Sequence, residues 1–355
     1  METSNSTDVL ICGAGAAGLT LAIDLARRGV RFRIVEKRDE PFPGSRGKGI
    51  QPRTQEIFED LGILDRAVAL GGSYVPFRTY RSDGSYVDAA ITESYEATFA
   101  EPYRTPLMLP QFVTERLMRE RLAELGAHVE LGCELVGFEQ DEEGVTARLA
   151  SRAGEERVRA RYLIGADGGH SFVRNALGIG FPGKSLHVRA LVADVTLTGL
   201  NRDAWHRFNE DSMEKMIMVC PLAGTELFQL QAPMPLDGDV DLSALGLTKL
   251  LLERTGRSDI RVESVSWGSV YNMNARLADQ YRLGRVFLIG DAAHVHPPTG
   301  AQGLNTGVQD AYNLGWKLAT ALRDGPEGLL DTYEEERRAV AADVLNLSKK
   351  LLDEK

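Results

Sequence analysis

A glycine-rich turn near the N-terminus is the feature that most constrains the fold of this chain. Residues 13–18 read Gly-Ala-Gly-Ala-Ala-Gly, between the apolar run Val9 to Cys12 and a segment, Leu19 to Arg28, whose apolar residues recur at helical spacing. A second short apolar run, Arg31 to Glu36, follows. Strand, tight turn, helix and strand predict a βαβ unit, and this unit implies a parallel sheet with a right-handed crossover.

The glycine spacing also predicts a ligand, because it matches the dinucleotide-binding pattern G-x-G-x-x-G. Gly13 permits the tight turn, Gly15 lets the backbone approach a pyrophosphate at the helix N-terminus, and Gly18 allows the helix to pack on the strand. Glu36 ends the second strand and can accept hydrogen bonds from ribose hydroxyls. The motif alone does not separate NAD from FAD, and a glycine-rich turn that binds nothing is the alternative.

The rest of the chain alternates between helical and strand-rich patterns. Helices are predicted over about 54–70, 111–125 and 304–322, and a last helix is predicted from Asp331, with Asp331 as N-cap and Glu334 as its capping-box acid. A turn at 82–85 indicates a hairpin. Alternating residues between about 179 and 280 predict an antiparallel sheet.

Charge and cysteine content exclude several classes of function. The 355 residues include 51 acidic and 41 basic side chains, a net charge of -10, so nucleic acid and membrane surfaces are not expected partners. Three widely spaced cysteines build neither a disulfide framework nor a paired zinc motif, and no targeting segment is recognised, so we expect a cytoplasmic protein. His294 and His296 alternate as metal ligands can, but no third ligand stands nearby at a standard spacing, so no metal is expected.

Two later segments each place an aspartate just past the carboxyl end of an apolar strand, where α/β sheets bind ligands. These are Asp167 in Leu163-Ile164-Gly165-Ala166-Asp167-Gly168 and Asp291 in Leu288-Ile289-Gly290-Asp291. Together with the N-terminal turn they resemble the fingerprint, DG and GD motifs of the flavoprotein monooxygenases of the para-hydroxybenzoate hydroxylase type. Residues 45–54, Ser-Arg-Gly-Lys-Gly-Ile-Gln-Pro-Arg-Thr, look most like the bacterial branch that hydroxylates aromatic polyketides. Helix capping is the alternative role for both aspartates.

The resemblance implies an α/β fold in which a Rossmann-like FAD-binding domain with a parallel sheet is interrupted by a sheet-rich α+β substrate domain. We expect the FAD-binding domain to comprise residues 1–75, 106–178 and 281–330, and the substrate domain 76–105 and 179–280. Residues 331–355 would form a C-terminal helix. Many relatives acting on polyketides continue into a thioredoxin-like domain, and the sequence leaves open whether such a domain is missing here.

The resemblance also implies the residues of the FAD site. Asp291 would bond the ribityl chain, Asp167 would serve FAD and the nicotinamide cofactor, and Arg46 and Gln111 would contact FAD from its other side. The segment 297–305 would aim a helix N-terminus at the flavin, or else form only a rigid connection. The full expected set for non-covalent FAD is Gly13, Gly15, Ala17, Gly18, Glu36, Lys37, Arg46, Gly47, Gln111, Asp167, Asp291, Pro298, Gly300, Gly303, Leu304 and Asn305. The expected catalytic positions are Arg46, Pro298 and Gly303, with no clear acid or base.

The activity implied is an FAD-dependent, NAD(P)H-consuming monooxygenase. It would use molecular oxygen to hydroxylate an aromatic substrate, a polycyclic phenol or polyketide, through a C4a-hydroperoxyflavin. NADPH is favoured over NADH because Arg46, Lys48 and Arg53 form a basic cluster that suits a 2′-phosphate. Other FAD-dependent enzymes of the same fold, a halogenase or an oxidase, are alternatives, although the halogenase Trp-x-Trp-x-Ile-Pro stretch is absent. A non-catalytic flavoprotein that sequesters an aromatic antibiotic is a further alternative.

The substrate would lie against the strand-rich middle segment. Met216 to Val219 and Val265 to Trp267 are expected to supply an apolar wall. Ordinary core positions are the more usual role for Trp267, Met273, Phe228 and Met218, and a place in the lining of such a pocket is the alternative.

Overall fold

The architecture consists of two eight-stranded sheets and the helices that cover them. A computed structural model describes residues 5–92, 96–212, 214–297 and 302–353. Within these ranges the helices are Ala16–Arg27 (α1), Pro52–Leu61 (α2), Leu64–Leu70 (α3), Gln111–Glu124 (α4), Phe172–Ala176 (α5), Ala244–Thr255 (α6), Gly303–Ala321 (α7) and Asp331–Asp353 (α8).

The strands of the same ranges are Ser6–Cys12 (β1), Phe32–Glu36 (β2), Gly49–Ile50 (β3), Phe77–Tyr80 (β4), Tyr86–Ala89 (β5), Leu107–Met108 (β6), Val129–Leu131 (β7), Glu134–Gln140 (β8), Val145–Ser151 (β9), Gly154–Gly165 (β10), Gly183–Thr198 (β11), Trp205–Phe208 (β12), Ile217–Pro221 (β13), Phe228–Met234 (β14), Arg261–Leu277 (β15), Arg282–Leu283 (β16), Val286–Leu288 (β17) and His294–Val295 (β18). Short 3-10 helices span Gly290–Ala292 and Glu327–Leu330.

The first sheet contains the predicted βαβ unit. Its order is β16-β17-β10-β1-β2-β7, with β8 and β9 attached through β10, and β1 runs parallel to both β2 and β10. Val9, Leu10 and Ile11 are fully buried in β1, which lies between β2 and β10 in the middle of the sheet. Helix α1 packs against α4 and α7. The carboxyl ends of β1, β10 and β17 therefore meet at one edge of the sheet.

The second sheet has the order β18-β15-β11-β14-β13-β12-β4-β5 and is antiparallel except where β12 pairs with β4. One face packs against α6, with Leu247 and Leu251 on β11 residues such as Leu191 and Ala193. The opposite face contacts loop 44–48 of the first half of the chain. The predicted fold class and the antiparallel middle sheet are confirmed.

Two local predictions differ from the structure. The segment 54–70 forms two helices, because Gly62 adopts a left-handed conformation with φ of 75° and ends α2. Glu334 is not a capping-box acid, since its Oε2 accepts hydrogen bonds from the backbone N–H groups of Tyr281 and Arg282. Phe228 lies on the face of the second sheet that packs against α6 and is a core residue, the more usual of its two expected roles. No helix in the described ranges is both long and apolar enough to cross a membrane.

Candidate cofactor and substrate site

The glycine turn between β1 and α1 is shaped by close backbone contacts. Gly13 has φ of 109°, and a Cβ there would overlap the Ala166 carbonyl oxygen at the end of β10. A Cβ at Gly18 would overlap the carbonyl oxygen of Gly13. Packing therefore requires glycine at Gly13 and Gly18, and the positive φ of Gly13 requires it by conformation as well.

Gly15 differs, because the space beside it is open. The nearest atom to a Cβ built there is Glu115 Oε1, at 3.9 Å. Gly15 is the N-cap of α1, and no side chain of its own caps the helix. The Ala16 amide donates to Glu115, but the positive end of the helix dipole lies beside open space at Gly15, and this arrangement fits a pyrophosphate.

Glu36, at the end of β2, and Lys37, which follows it, are the next expected cofactor residues along the chain. Glu36 Oε2 accepts a hydrogen bond from Ala14 N at 3.0 Å, and its Oε1 accepts one from Arg38 N at 3.2 Å. A carboxylate has about four acceptor positions, so Glu36 retains capacity for ribose hydroxyls. Lys37 is exposed beside it. Ala17 has a packing role, since it lies against Gly290 and Gly307.

Asp167 and Asp291 lie at the carboxyl ends of neighbouring strands, β10 and β17. Asp167 Oδ2 accepts a hydrogen bond from Val173 N at 3.1 Å and so caps the start of α5, while its buried Oδ1 has no partner among the described residues. The surface of Asp291 is exposed, but many protein atoms lie close to its carboxyl. The desolvation that these atoms cause raises the pKa of Asp291. Both carboxylates therefore keep an oxygen available to a ligand in a concave site.

A second arm of the site is built from loop 44–48 and the start of α4. Gln111 Oε1 accepts a hydrogen bond from Gly47 N at 3.1 Å, and Gln111 Nε2 donates to Glu115 Oε1 at 2.8 Å. A Cβ at Gly47 would lie 3.2 Å from Leu304. Asn305 bonds the backbone on either side of Ile50, accepting from Gln51 N and donating to Gly49 O. The amide of Asn305 thus holds this arm against the start of α7.

The N-terminus of α7 begins at Gly303. A Cβ at Gly303 would meet no atom of the described residues within 4 Å, so open space adjoins this helix end. Pro298 and Gly300, both expected at the flavin, lie outside the described residues.

Arg46 connects the cofactor side to the second sheet. Its Nη2 donates to Ser269 Oγ at 3.3 Å, and its guanidinium lies 5.8 Å from the Trp267 ring and 5.9 Å from the Tyr271 ring. The same charge opposes the rise in the pKa of Asp291. Arg46 therefore contacts an aromatic part of the sheet while its charge acts on the GD-motif carboxylate.

Two rows of side chains cross the sheet face opposite α6. The strand registers place Trp267, Asp194, Gln229, Cys220 and Trp205 side by side, here called the inner row. The next set on the same face, the outer row, is Ser269, Val192, Gln231, Met218 and Arg207. Trp267 and Met218, which belong to the two segments expected to supply an apolar wall, thus lie on the same face of the sheet.

The inner row is covered by loop 44–48 and forms a buried polar network. Ser45 Oγ donates to Asp194 Oδ1, and Lys48 Nζ donates to Gln229 Oε1 while lying 4.3 Å from the centre of the Trp205 ring. Burial lowers the pKa of Lys48 and raises that of Asp194 to about 6. This network joins the two halves of the molecule.

The basic cluster expected for NADPH is not formed. Lys48 is only 7% exposed and bonds Gln229, whereas Arg53 lies at the start of α2 and pairs with Glu56. Of the three cations, Arg46 is the one whose charge acts on Asp291. Burial of an amine inside a polar network had no signature in the sequence.

Three functional features were missed at the level of sequence. Glu115, the Lys48–Gln229–Asp194 network and the buried pair of His294 with Asp310 depend on contacts between distant segments. The spacing Gln111-x-x-x-Glu115 on a predicted helix is the one signal that points to a pair. No group of three or more His, Cys, Asp or Glu side chains in the described ranges could hold a metal ion.

An open glycine turn and partly unsatisfied carboxylates at adjacent strand ends of a parallel sheet define a dinucleotide-binding protein. A model of the family described as FAD binding domain matches residues 6–348, and the chain belongs to this family. Its cofactor is FAD.

Similar proteins give the enzyme class. The chain is 44% identical over 346 residues to a flavin-dependent monooxygenase of Mycobacteroides abscessus, covering 96% of this chain and 73% of that protein. It is 38% identical over 349 residues to a rifampicin monooxygenase of Streptomyces venezuelae, covering 96% of this chain and 70% of the relative. The solved structure of aklavinone-11 hydroxylase with FAD and aklavinone superimposes with a TM-score of 0.85 at 30% identity, over 99% of this chain and 69% of that one. The chain is an FAD-dependent monooxygenase.

Proposed function

We propose that this enzyme hydroxylates an aromatic, polycyclic phenolic substrate with electrons from NAD(P)H. One oxygen atom of O₂ enters the aromatic ring and the other leaves as water, while NAD(P)H supplies two electrons. Arg46 carries the proposal, because its charge acts on Asp291 and its guanidinium lies 5.8 Å from the ring of Trp267 and 5.9 Å from the ring of Tyr271. A substrate bound beside the redox-active end of the cofactor would therefore meet aromatic and apolar side chains.

Bound FAD would accept electrons from the nicotinamide and, once reduced, activate oxygen. Protein groups have separate tasks in holding it: the turn at Gly13, Gly15 and Gly18 would bind the pyrophosphate, and Glu36 the ribose. Asp291 would bond the ribityl chain, and the N-terminus of α7 at Gly303 would face the flavin ring. A helix N-terminus stabilises negative charge that develops at its end.

The sheet face would orient the substrate and exclude water. The half-buried Met218 and the buried Val192 form the apolar part of the outer row, and Ser269, Gln231 and Arg207 offer polar groups around it. Exclusion of water protects the oxygen-transfer step from unproductive release of hydrogen peroxide. The names of relatives that act on rifampicin and aklavinone support a large aromatic substrate.

An isotope experiment tests the reaction. FAD-loaded enzyme, NADPH and a polycyclic phenol are incubated under ¹⁸O₂ in unlabelled water, and the product mass is measured. We expect one labelled oxygen atom per product molecule. Label from water, a halogenated product, oxidation without added oxygen, or binding without NADPH consumption would each contradict the proposal.

A further inference from the structure

The orientation of the Gln229 amide is fixed by two independent partners. Its Nε2 donates to the Ser45 backbone carbonyl, which can only accept a hydrogen bond, and also to Ser45 Oγ at 2.7 Å. Its Oε1 accepts from Lys48 Nζ. Reversing this amide would place Nε2 against the lysine donor and Oε1 against a carbonyl oxygen, so only one orientation is satisfied.

The orientation of Gln229 determines that of Gln231. The two residues lie on the same face of β14, and Gln231 Nε2 donates to Gln229 Oε1 at 2.6 Å. Because Gln229 Oε1 can only accept, the Gln231 amide must present its nitrogen to the inner row. Its carbonyl oxygen, Oε1, is consequently the atom turned away from Gln229.

The surroundings of Gln231 suit a ring that carries a hydroxyl group. Gln231 is half-buried in the outer row, with the apolar Val192 and Met218 as its direct neighbours on adjacent strands. Two strands away in the same row, Ser269 bonds Arg46. Two strand spacings amount to about 10 Å, which is longer than one phenyl ring and suits a fused system.

We propose that the side-chain carbonyl oxygen of Gln231 accepts a hydrogen bond from a hydroxyl group of the aromatic substrate and so selects phenols over their ethers. The inference rests on the proposed function, because it assumes that the outer row is the substrate surface. Gln231 is then a specificity-determining residue whose acceptor is oriented in advance by Lys48, Gln229 and Ser45. Pre-orientation avoids the cost of ordering a flexible amide when the substrate binds.

Equilibrium dialysis tests the proposed role of Gln231. The probes 2-naphthol and 2-methoxynaphthalene are each bound to the oxidised, FAD-loaded enzyme at neutral pH. We expect the wild-type enzyme to bind 2-naphthol more tightly than the ether. Gln231→Met keeps the length of the side chain but removes the acceptor, so it should weaken 2-naphthol binding about tenfold and ether binding less than about twofold. Met218→Leu, a change at the direct neighbour, should affect both probes equally.

The proposal is overturned if wild-type enzyme does not prefer 2-naphthol, or if Gln231→Met weakens both probes alike. The first measurement needs no variant, so it stands even if Gln231→Met folds poorly; FAD content and melting temperature check the folding. Failure of the proposed function appears separately as absence of ¹⁸O in the product, a result that leaves the preference for 2-naphthol unchanged.

Discussion

His294 Nε2 and Asp310 Oδ2 lie 2.6 Å apart, and both side chains are fully buried. Arg337 Nε on α8 donates to the other oxygen of Asp310 at 2.8 Å. Gly290 N also donates to Asp310 Oδ2, at 3.3 Å. The last helix and the GD motif are thus connected through one buried carboxylate.

Replacing this carboxylate should destabilise the fold. Asp310→Asn leaves Arg337 buried without a charged partner, so we expect the free energy of unfolding to fall by about 3 kcal/mol. Asp331→Asn is the matched control, because the Asp331 carboxylate is mostly exposed and its 2.6 Å pair with Arg282 should contribute less than about 1 kcal/mol. Urea denaturation of the FAD-loaded variants gives both values, and equal losses would contradict a special role for Asp310.

The same pair predicts an acid dependence of stability. Burial opposes ionisation of Asp310, but His294 and Arg337 outweigh it and hold its pKa below the ordinary value. A carboxyl with a lowered folded-state pKa contributes stability above its unfolded-state pKa of about 4 and loses it as the pH falls through the folded value. Asp310→Asn should therefore flatten the decline of stability below about pH 4, measured by urea denaturation at a series of pH values.

Asp291 is predicted to hold the cofactor. Asp291→Ala removes a carboxylate acceptor from a desolvated position, so FAD should bind more weakly by about 1–3 kcal/mol. Fluorescence of released flavin measures the dissociation constant, with the exposed Asp343→Ala as control. Unchanged FAD affinity in Asp291→Ala would show that this carboxylate does not contact the cofactor.

Glu115 is a buried carboxyl beside the pyrophosphate-binding turn. It accepts hydrogen bonds from Gln111 Nε2 and the backbone of Ala16, and the charges of Arg119 and Arg38 act on it from further away. Burial outweighs these contacts and raises its pKa to about 7. Its contribution to stability is therefore present below its unfolded-state pKa of about 4.3 and is lost as the pH rises through the folded value.

FAD affinity should follow the ionisation of Glu115. Above neutral pH the Glu115 carboxylate would oppose the anionic pyrophosphate near Gly15, so the dissociation constant of FAD should rise as the pH increases through about 7, by up to about tenfold per pH unit. Glu115→Gln should remove this dependence. Glu120→Gln, an exposed change on the same helix, should keep it, and parallel pH profiles for wild type and Glu115→Gln would exclude the effect.

The open space at Gly303 predicts an effect on coupling. Gly303→Val would fill the space at the N-terminus of α7, so more of the NADPH consumed should appear as hydrogen peroxide and less as hydroxylated product. Gly328→Val is a matched control, since a Cβ there also meets no described atom within 4 Å but lies in the 3-10 helix before α8. The ratio of peroxide to product decides the outcome, and equal ratios in both variants would refute the role of Gly303.

Short-range patterns predicted much of this protein. The turn at Gly13, Gly15 and Gly18, the β1-α1-β2 unit and the antiparallel strands around Val192 and Trp267 follow from local conformational preferences and the periodicity of apolar residues. Asp167 and Asp291 were found because strand ends in α/β sheets are ligand sites, and the structure brings these two ends together. The roles of individual site residues stay predictions.

Tertiary structure alone decided how distant polar groups pair. Lys48 looked like a surface cation, yet strand register brings Gln229 and Asp194 beneath loop 44–48 and buries the amine. Glu334 looked like a helix cap, yet it bonds the backbone at Tyr281. A sequence determines which segments form strands and helices through neighbours along the chain, whereas burial and hydrogen-bond partners depend on which segments meet in space.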